Sequence, residues 1–277
     1  MEIKFNDVSF SYQNSNKLIL NNFSCNIKSN MINAVIGKNG CGKTTILELL
    51  DGLLVPINGY IKVGKNKFDG NGTCKYRSDV GFLFQIPEEQ IFNSTVYKEI
   101  EFALKCFNFN NDEIYDKIID SINLVGLDES YLDKNPYKLS NGERRKVALA
   151  SVLAFDPKII ILDEPTVGLD NISKENFMKL VKSLKNDYGK TIIIVSHDIN
   201  FLHKFVDYVF LIKDGKVYLE GDKYDVLSNE NAMSECGLMV PRVLHFSNLV
   251  YSKKNVKIGY RDEVNDLIKD VYRYVKW

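Results

Sequence analysis

Between an apolar run, Met31 to Ile36, and a helical pattern, Thr44 to Leu50, the chain carries Gly37-Lys38-Asn39-Gly40-Cys41-Gly42-Lys43-Thr44, followed by Thr45. No other stretch constrains the fold as much. Strand, glycine turn and helix in that order gather successive backbone N–H groups at a helix N-terminus, where they point at one anion while the glycines keep side chains out of its way. The expected ligand is a phosphate chain. Lys43 is placed to reach the β- and γ-phosphates of a nucleoside triphosphate, and the Thr44 hydroxyl to hold magnesium. Cys41 occupies a free position of the pattern and reads as a small filler; the alternative is a redox switch, since helix N-termini lower thiol pKa values.

A second element belongs with the first. Ile159-Ile160-Ile161-Leu162-Asp163-Glu164 is an apolar strand ending in two carboxylates, which is costly unless a cation or a polarised water offsets the charge. Asp163 is expected to hold magnesium, directly or through water, and Glu164 to polarise the attacking water.

The remaining patterns place these motifs. Ile3, Phe5, Val8 and Phe10 alternate as a half-buried strand with one irregularity, and Leu18 to Ile27 reads as another, so the chain starts β-rich. Ile57 to Lys67 is strand-like, Asp69-Gly70-Asn71-Gly72 signals a turn, and Val80 to Phe84 suits a buried strand ending at Gln85. From Thr95 to Val125 the spacing turns helical, with Val96, Ile100, Ala103, Leu104 and Phe107, then Ile114, Ile118 and Ile122. Ser140 can cap the next helix, which stops at Asp156-Pro157. Ile159 to Leu162 and Thr191 to Val195 flank a helix at Ser173 to Leu184, the pattern of parallel strands with a crossover. Val206 to Ile212, Asp214-Gly215 and Lys216 to Leu219 read as a hairpin. Beyond Gly221 come a polar helix, a segment centred on Pro241, and an amphipathic helix, Asp262 to Lys276, carrying Val264, Leu267, Ile268, Val271 and Tyr272.

Composition excludes several classes. With 45% hydrophobic residues and zero net charge, the chain can bury a sizeable core, and no global basic field points to nucleic acid or an anionic membrane. Cys25, Cys41, Cys74, Cys106 and Cys236 are scattered singly, which speaks against a disulfide framework or a zinc site and suits a reducing cytosol. Met1 to Phe5 lacks the apolar core of a signal peptide, and no apolar run approaches the ~20 residues that span a bilayer. Service to a membrane would then run through other chains, from the cytosolic side.

Leu139-Ser140-Asn141-Gly142-Glu143 lies between the glycine-rich loop and the acidic strand. Together, the three elements resemble the ABC-type ATPases. The resemblance implies an α/β P-loop ATPase core over residues 1–221, with an N-terminal antiparallel β subdomain and an inserted helical subdomain at about 87–155. Residues 222–277 form a small C-terminal appendage. It also implies that Gln85 touches magnesium and water and reports to a transmembrane partner, that His197 in Val195-Ser196-His197-Asp198 contacts the γ-phosphate, and that Tyr12 stacks on adenine. The plain alternatives are a satisfied surface histidine and a rim tyrosine. Ser140 and Gly142 would complete a site whose P-loop belongs to a second cassette, with Asp170 of Val167-Gly168-Leu169-Asp170 at the seam. One chain therefore makes no closed site; a two-fold pair makes two.

Three residues depart from that family's pattern. Asn141 replaces the first signature glycine, Glu143 the usual glutamine, and Lys146 a common arginine. Asn tolerates positive φ, so the turn is expected to survive, whereas Glu143 adds negative charge where a triphosphate docks. The composite site using this signature would be weak, and a partner cassette with a different signature becomes plausible.

Phe84-Gln85-Ile86-Pro87-Glu88-Glu89-Gln90-Ile91-Phe92, Asn135-Pro136-Tyr137-Lys138-Leu139-Ser140 and Gly237-Leu238-Met239-Val240-Pro241 resemble runs of energy-coupling factor transporter ATPases. The resemblance covers nearly the whole chain, and Glu164-Pro165-Thr166-Val167-Gly168-Leu169-Asp170 is similar to the second of two paralogous cassettes. It implies ATP and Mg2+ as cofactors, and three partners: a paralogous ATPase, a coupling membrane subunit docking near Gln85 to Phe92, and a substrate-binding membrane subunit for a vitamin or metal ion. The plain reading is that Pro87, Gln90 and Phe92 only pack the helical insertion. Absence of an internal repeat excludes a tandem double cassette; a soluble ABC ATPase and an ATP-binding clamp that hardly hydrolyses stay open. The closing amphipathic helix either packs on its own domain or joins the contact between cassettes.

Overall fold

The computed structural model describes residues 1–13, 17–71 and 74–274. Gly72 of the expected turn, and Val275 and Lys276 of the expected final helix, lie outside them. Two sheets form. β1 (Ile3–Phe10), β2 (Leu20–Ile27), β4 (Asn58–Val63) and β5 (Asn66–Phe68) make an antiparallel sheet in the order β2-β1-β4-β5. β3 (Ile32–Gly37), β6 (Val80–Leu83), β7 (Ile159–Asp163), β8 (Thr191–Val195), β9 (Tyr208–Lys213) and β10 (Lys216–Asp222) make a second, in the order β10-β9-β3-β8-β7-β6. All neighbours in it are parallel except the β9–β10 hairpin at one edge.

The parallel strands separate two cores by residue parity. Val35, Ile159, Ile161, Ile193, Val195 and Phe82 face one, with the antiparallel sheet and α1 (Lys43–Asp51). Ala34, Ile36, Ile160, Leu162, Ile192 and Ile194 face the other, among the helices. Burial on both faces explains why these strands read as unbroken apolar runs rather than alternating ones.

The helical face is built by α2 (Val96–Cys106) and α3 (Asn111–Leu124), which pack against α4 (Asn141–Leu153), and by α5 (Asn171–Asn186). Ile100, Leu104, Ile114, Ile118 and Ile122 point into that core, as their three- and four-residue spacing requires. After a short α6 (Ile199–Leu202) and the β9–β10 hairpin come α7 (Lys223–Leu227), α8 (Glu230–Glu235), α9 (Arg242–Lys254) and α10 (Val264–Tyr274).

One boundary differs from the sequence expectation and two are drawn more finely by the structure. The strand expected over Ile57 to Lys67 is two strands, because Gly64 at φ 58° turns the chain between Val63 and Asn66. The Thr95 to Val125 pattern is two helices, broken after Cys106 where Asn108 takes φ 59°. The segment centred on Pro241 is the start of α9: its fixed φ suits a cap, with no N–H wasted. Leu267 of α10 packs with Val243 and Ile258 in a small separate cluster, while Val264, Ile268 and Tyr272 are exposed. Among the described residues, no helix is long and apolar enough to cross a membrane.

Candidate functional site

Four consecutive strands, β3, β8, β7 and β6, run parallel and release their loops at the same edge. Ligand sites of open α/β sheets form at that carboxyl edge. From β3 comes the glycine loop, from β8 His197, from β7 Asp163 and Glu164, and from β6 Gln85. Tyr12, Asn39, Gly40, Gly42, Lys43, Thr44, Thr45, Gln85, Asp163 and Glu164 line one open cleft of about 410 Å³.

The loop is shaped by close packing on one side and openness on the other. A Cβ at Gly37 would stand 2.4 Å from the Ile212 carbonyl oxygen, so no larger residue fits there. Gly42 caps α1 at φ 105°. Lys43 Nζ donates to the carbonyls of Gly37 at 2.8 Å and Lys38 at 3.1 Å, which curls the ammonium into the loop. Cys41 is buried, and burial pushes its thiol up rather than down. The redox-switch alternative loses its basis, because desolvation of the thiolate outweighs Lys43 and the helix terminus.

Thr44 Oγ1 donates to Asp163 Oδ2 at 3.2 Å. Burial pushes the Asp163 carboxyl up to about 6, against the Thr44 hydrogen bond and with Glu164 and Glu48 adding like charge. A desolvated carboxylate short of positive charge, touching a threonine hydroxyl, fits a hard divalent cation. No group of three or more His, Cys, Asp or Glu converges among the described residues, so a cation here would not be held by such side chains alone; Thr44 and Gln85 line the same cleft.

Glu164 is buried and sits at φ 47°. His197 Nδ1 lies 3.0 Å from Glu164 Oε2, off hydrogen-bond angle, and that buried oxygen has no donor. Glu164 as a residue lines the cleft, where a carboxylate can accept from a water. Tyr12 packs edge-on against Phe10, and its hydroxyl shares a hydrogen bond with Thr45 Oγ1 at 3.1 Å and donates to Glu48 at 3.3 Å. The ring is therefore anchored at the cleft's rim.

Ser140 and Gly142 lie elsewhere, in a second cleft of about 450 Å³ shared with Gly126, Lys146 and Leu169. Ser140 caps α4 through a reciprocal pair with Glu143. Asn141 is the first helical residue and does not take positive φ, so the tolerance expected of asparagine is not called on. Asp170 caps α5, accepting from the amides of Ile172 and Ser173 and from the Ser173 hydroxyl.

Sequence reasoning missed three connectors. Buried Arg145 donates to the carbonyls of Pro165 at 2.8 Å and Val167 at 2.9 Å, tying the signature helix to the segment after Glu164. Buried Glu99 accepts from the amides of Phe92 and Asn93. Tyr131 donates to Glu143 at 2.6 Å. A charged residue at a core position of a helical pattern is the signal that marks Arg145 and Glu99. Gln90 bonds back to the Phe82 and Phe84 backbone, a packing role, whereas Ile86, Phe92, Phe102 and Tyr137 are exposed, with the Phe92 and Phe102 rings edge-on at 4.8 Å.

A family model described as ABC transporter matches residues 20–167. The energy-coupling factor transporter ATP-binding protein EcfA3 of Oenococcus oeni is 36% identical over 94% of this chain and 91% of its own length. EcfA2 of Clostridium perfringens is likewise 36% identical, over 95% and 94%. Among solved structures, cbiO1 from Clostridium perfringens, part of the ABC transporter complex cbiONQ, superposes with a TM-score of 0.75 at 32% identity, covering 89% of this chain and 98% of that one. The ATP-binding cassette MJ0796, dimeric in a post-hydrolysis state with ADP and Pi, superposes at 0.70 with 29% identity, over 80% and 98%.

Proposed function

The chain belongs to the ABC transporter family, as an ATP-binding protein of energy-coupling factor transporters, and from that premise we propose how its residues turn ATP hydrolysis into import. It is the ATP-hydrolysing motor of such an importer. The β- and γ-phosphates lie in the Gly37 to Thr45 loop under Lys43, with Tyr12 against the base. Magnesium, when bound, stabilises charge on the phosphate oxygens, and Thr44, Asp163 and Gln85 are the residues that would hold it. Glu164 takes the proton of a water whose oxygen bonds to the γ-phosphorus as the bond to the ADP oxygen breaks. His197, beside that carboxylate, contacts the γ-phosphate.

The observation that carries this reading is that the glycine loop after β3, Gln85 after β6, and Asp163 and Glu164 at the end of β7 line one cleft, with His197 after β8 standing 3.0 Å from Glu164. Ser140 and Gly142, in a separate cleft, serve the nucleotide of a second cassette, with Asp170 at the seam. That partner is a paralogous ATPase. The exposed side chains of Ile86, Phe92, Phe102 and Tyr137 are available to a cytosolic helix of a coupling membrane subunit, the chain working at the cytoplasmic face of the membrane; a further membrane subunit selects the vitamin or metal ion. Residues 1–221 act as the nucleotide-binding domain, with the insertion at about 87–155 carrying the signature turn. Residues 222–277 form an appendage available to the dimer contact.

The test is Glu164→Gln in the complex purified with its natural partner chains. Phosphate release is expected to fall about 10²- to 10³-fold while ATP binding is retained. Unchanged phosphate release would remove the motor assignment.

A further inference from the structure

The signature serine already has a partner. Ser140 Oγ donates to Glu143 Oε2 at 2.6 Å, and the Ser140 N–H donates to the same oxygen at 2.9 Å. Glu143 Oε1 accepts the Tyr131 hydroxyl at 2.6 Å, and Lys134 Nζ stands 3.3 Å from the centre of the Tyr131 ring. Both carboxylate oxygens are thus engaged, and the group stays ionised: hydrogen bonds from Ser140 first, then Tyr131, hold its pKa at about 2.

A serine hydroxyl carries one proton. While that proton is given to a carboxylate, the Ser140 oxygen offers an approaching phosphate only lone pairs, with a negative charge just behind them. The cap itself does not need an acid. Glutamine at this position would accept from the Ser140 amide through its carbonyl oxygen and could turn its amino group to the Tyr131 oxygen, keeping the turn while holding the serine proton less tightly than a carboxylate does. Gly142 beside it has open space: nothing lies within 4 Å of where its Cβ would stand.

We propose that Glu143, braced by Tyr131, is a positioning residue that withholds the Ser140 hydroxyl from nucleotide and so sets the ATP concentration at which the composite site using this turn closes. The proposal rests on Ser140 facing a nucleotide held by a second cassette. Entry of the γ-phosphate must draw the Ser140 proton away from a charged acceptor, so this site is harder to fill than one whose serine proton is free.

The experiment measures phosphate release against ATP concentration in the complex with its natural partners, for wild type, Glu143→Gln, Glu143→Ala, Tyr131→Phe, Ser140→Ala and Ser140→Ala with Glu143→Gln. Both Glu143 variants are expected to lower the ATP KM by about fivefold or more, roughly the difference between a charge-assisted and a neutral competing hydrogen bond, with kcat changed less. Tyr131→Phe moves KM the same way by a smaller factor, and the gain disappears when Ser140 is alanine. An unchanged or raised KM in both Glu143 variants overturns the proposal while leaving the trans-site reading intact. A gain of equal size in the Ser140→Ala background assigns the effect to the carboxylate's field and also overturns it. If Ser140→Ala by itself changes neither KM nor kcat, the trans-site reading falls and takes the proposal with it.

Discussion

The Glu164 N–H donates to the Val195 carbonyl at 2.9 Å, one residue beyond the last paired position of β7, and so holds Glu164 at φ 47°. Left-handed backbone at a residue with a Cβ costs roughly 1 kcal/mol and persists where surrounding structure over-determines it. The turn breaks the strand's alternation and aims the carboxylate into the cleft. Glu164→Gly and Glu164→Ala should both abolish hydrolysis, but the glycine variant should be more stable by about 1 kcal/mol, because only glycine adopts this φ freely. Equal denaturation midpoints for the two variants would show that no strain is stored here.

Gly142 sits in the first turn of α4, has no positive φ and meets nothing within 4 Å. Nothing in this chain requires a glycine there. Gly142→Ala should therefore hold or raise stability by up to about 1 kcal/mol, the usual gain of alanine over glycine in a helix. Its cost should appear in assembly: ATP-driven association with a second cassette should weaken, because a methyl group intrudes on the partner's nucleotide. Association unchanged at every ATP concentration would remove Gly142 from the interface.

The sheet was legible wherever burial was two-sided, because Ile159 to Leu162 and Thr191 to Val195 have no polar face to hide. The loop residues were legible through spacing alone, since backbone N–H groups gathered at one point need glycines at set positions. Arg145, Glu99 and Tyr131 were not. A charge at a core position marks Arg145 and Glu99 without naming a partner: the Pro165 and Val167 carbonyls and the Glu143 carboxylate are brought in by tertiary packing, and the Phe92 and Asn93 amides by the irregular turn before α2. The start of α9 at Pro241 was hidden for a different reason: proline ends some helices and begins others, and only its surroundings tell which.

Asn33 lies fully buried in β3, the strand that delivers the glycine loop. The two protons of its amide are shared among the carbonyls of Lys28, Met31 and Ile192, and its Oδ1 accepts the Lys28 N–H, so one side chain joins the turn before β3 to β8. Asn33→Ala leaves those backbone groups unsatisfied and should cost about 2–4 kcal/mol in urea denaturation, with ATP affinity falling as the loop loses its footing. A loss below about 0.5 kcal/mol, the scale of an ordinary surface change, would mean that water replaces the amide.

Glu143 gives the molecule a pH signature of definite sign. Its folded pKa of about 2 lies below the ordinary value of 4.5, so its contribution to stability is fully present above the ordinary value and is lost as pH falls toward the folded one. Wild type should exceed Glu143→Gln in denaturant midpoint by a constant margin from about pH 7 to about pH 5, because over that range the carboxylate is ionised in both folded and unfolded chains. Below that range the unfolded chain takes up a proton that the folded chain refuses, and the margin should narrow steadily as acid is added. The side chain is only partly buried, so the margin itself is small and salt-sensitive; its pH dependence is the informative quantity. A margin that stays flat from about pH 6 to about pH 3 would mean that Ser140 and Tyr131 do not hold the charged form in solution.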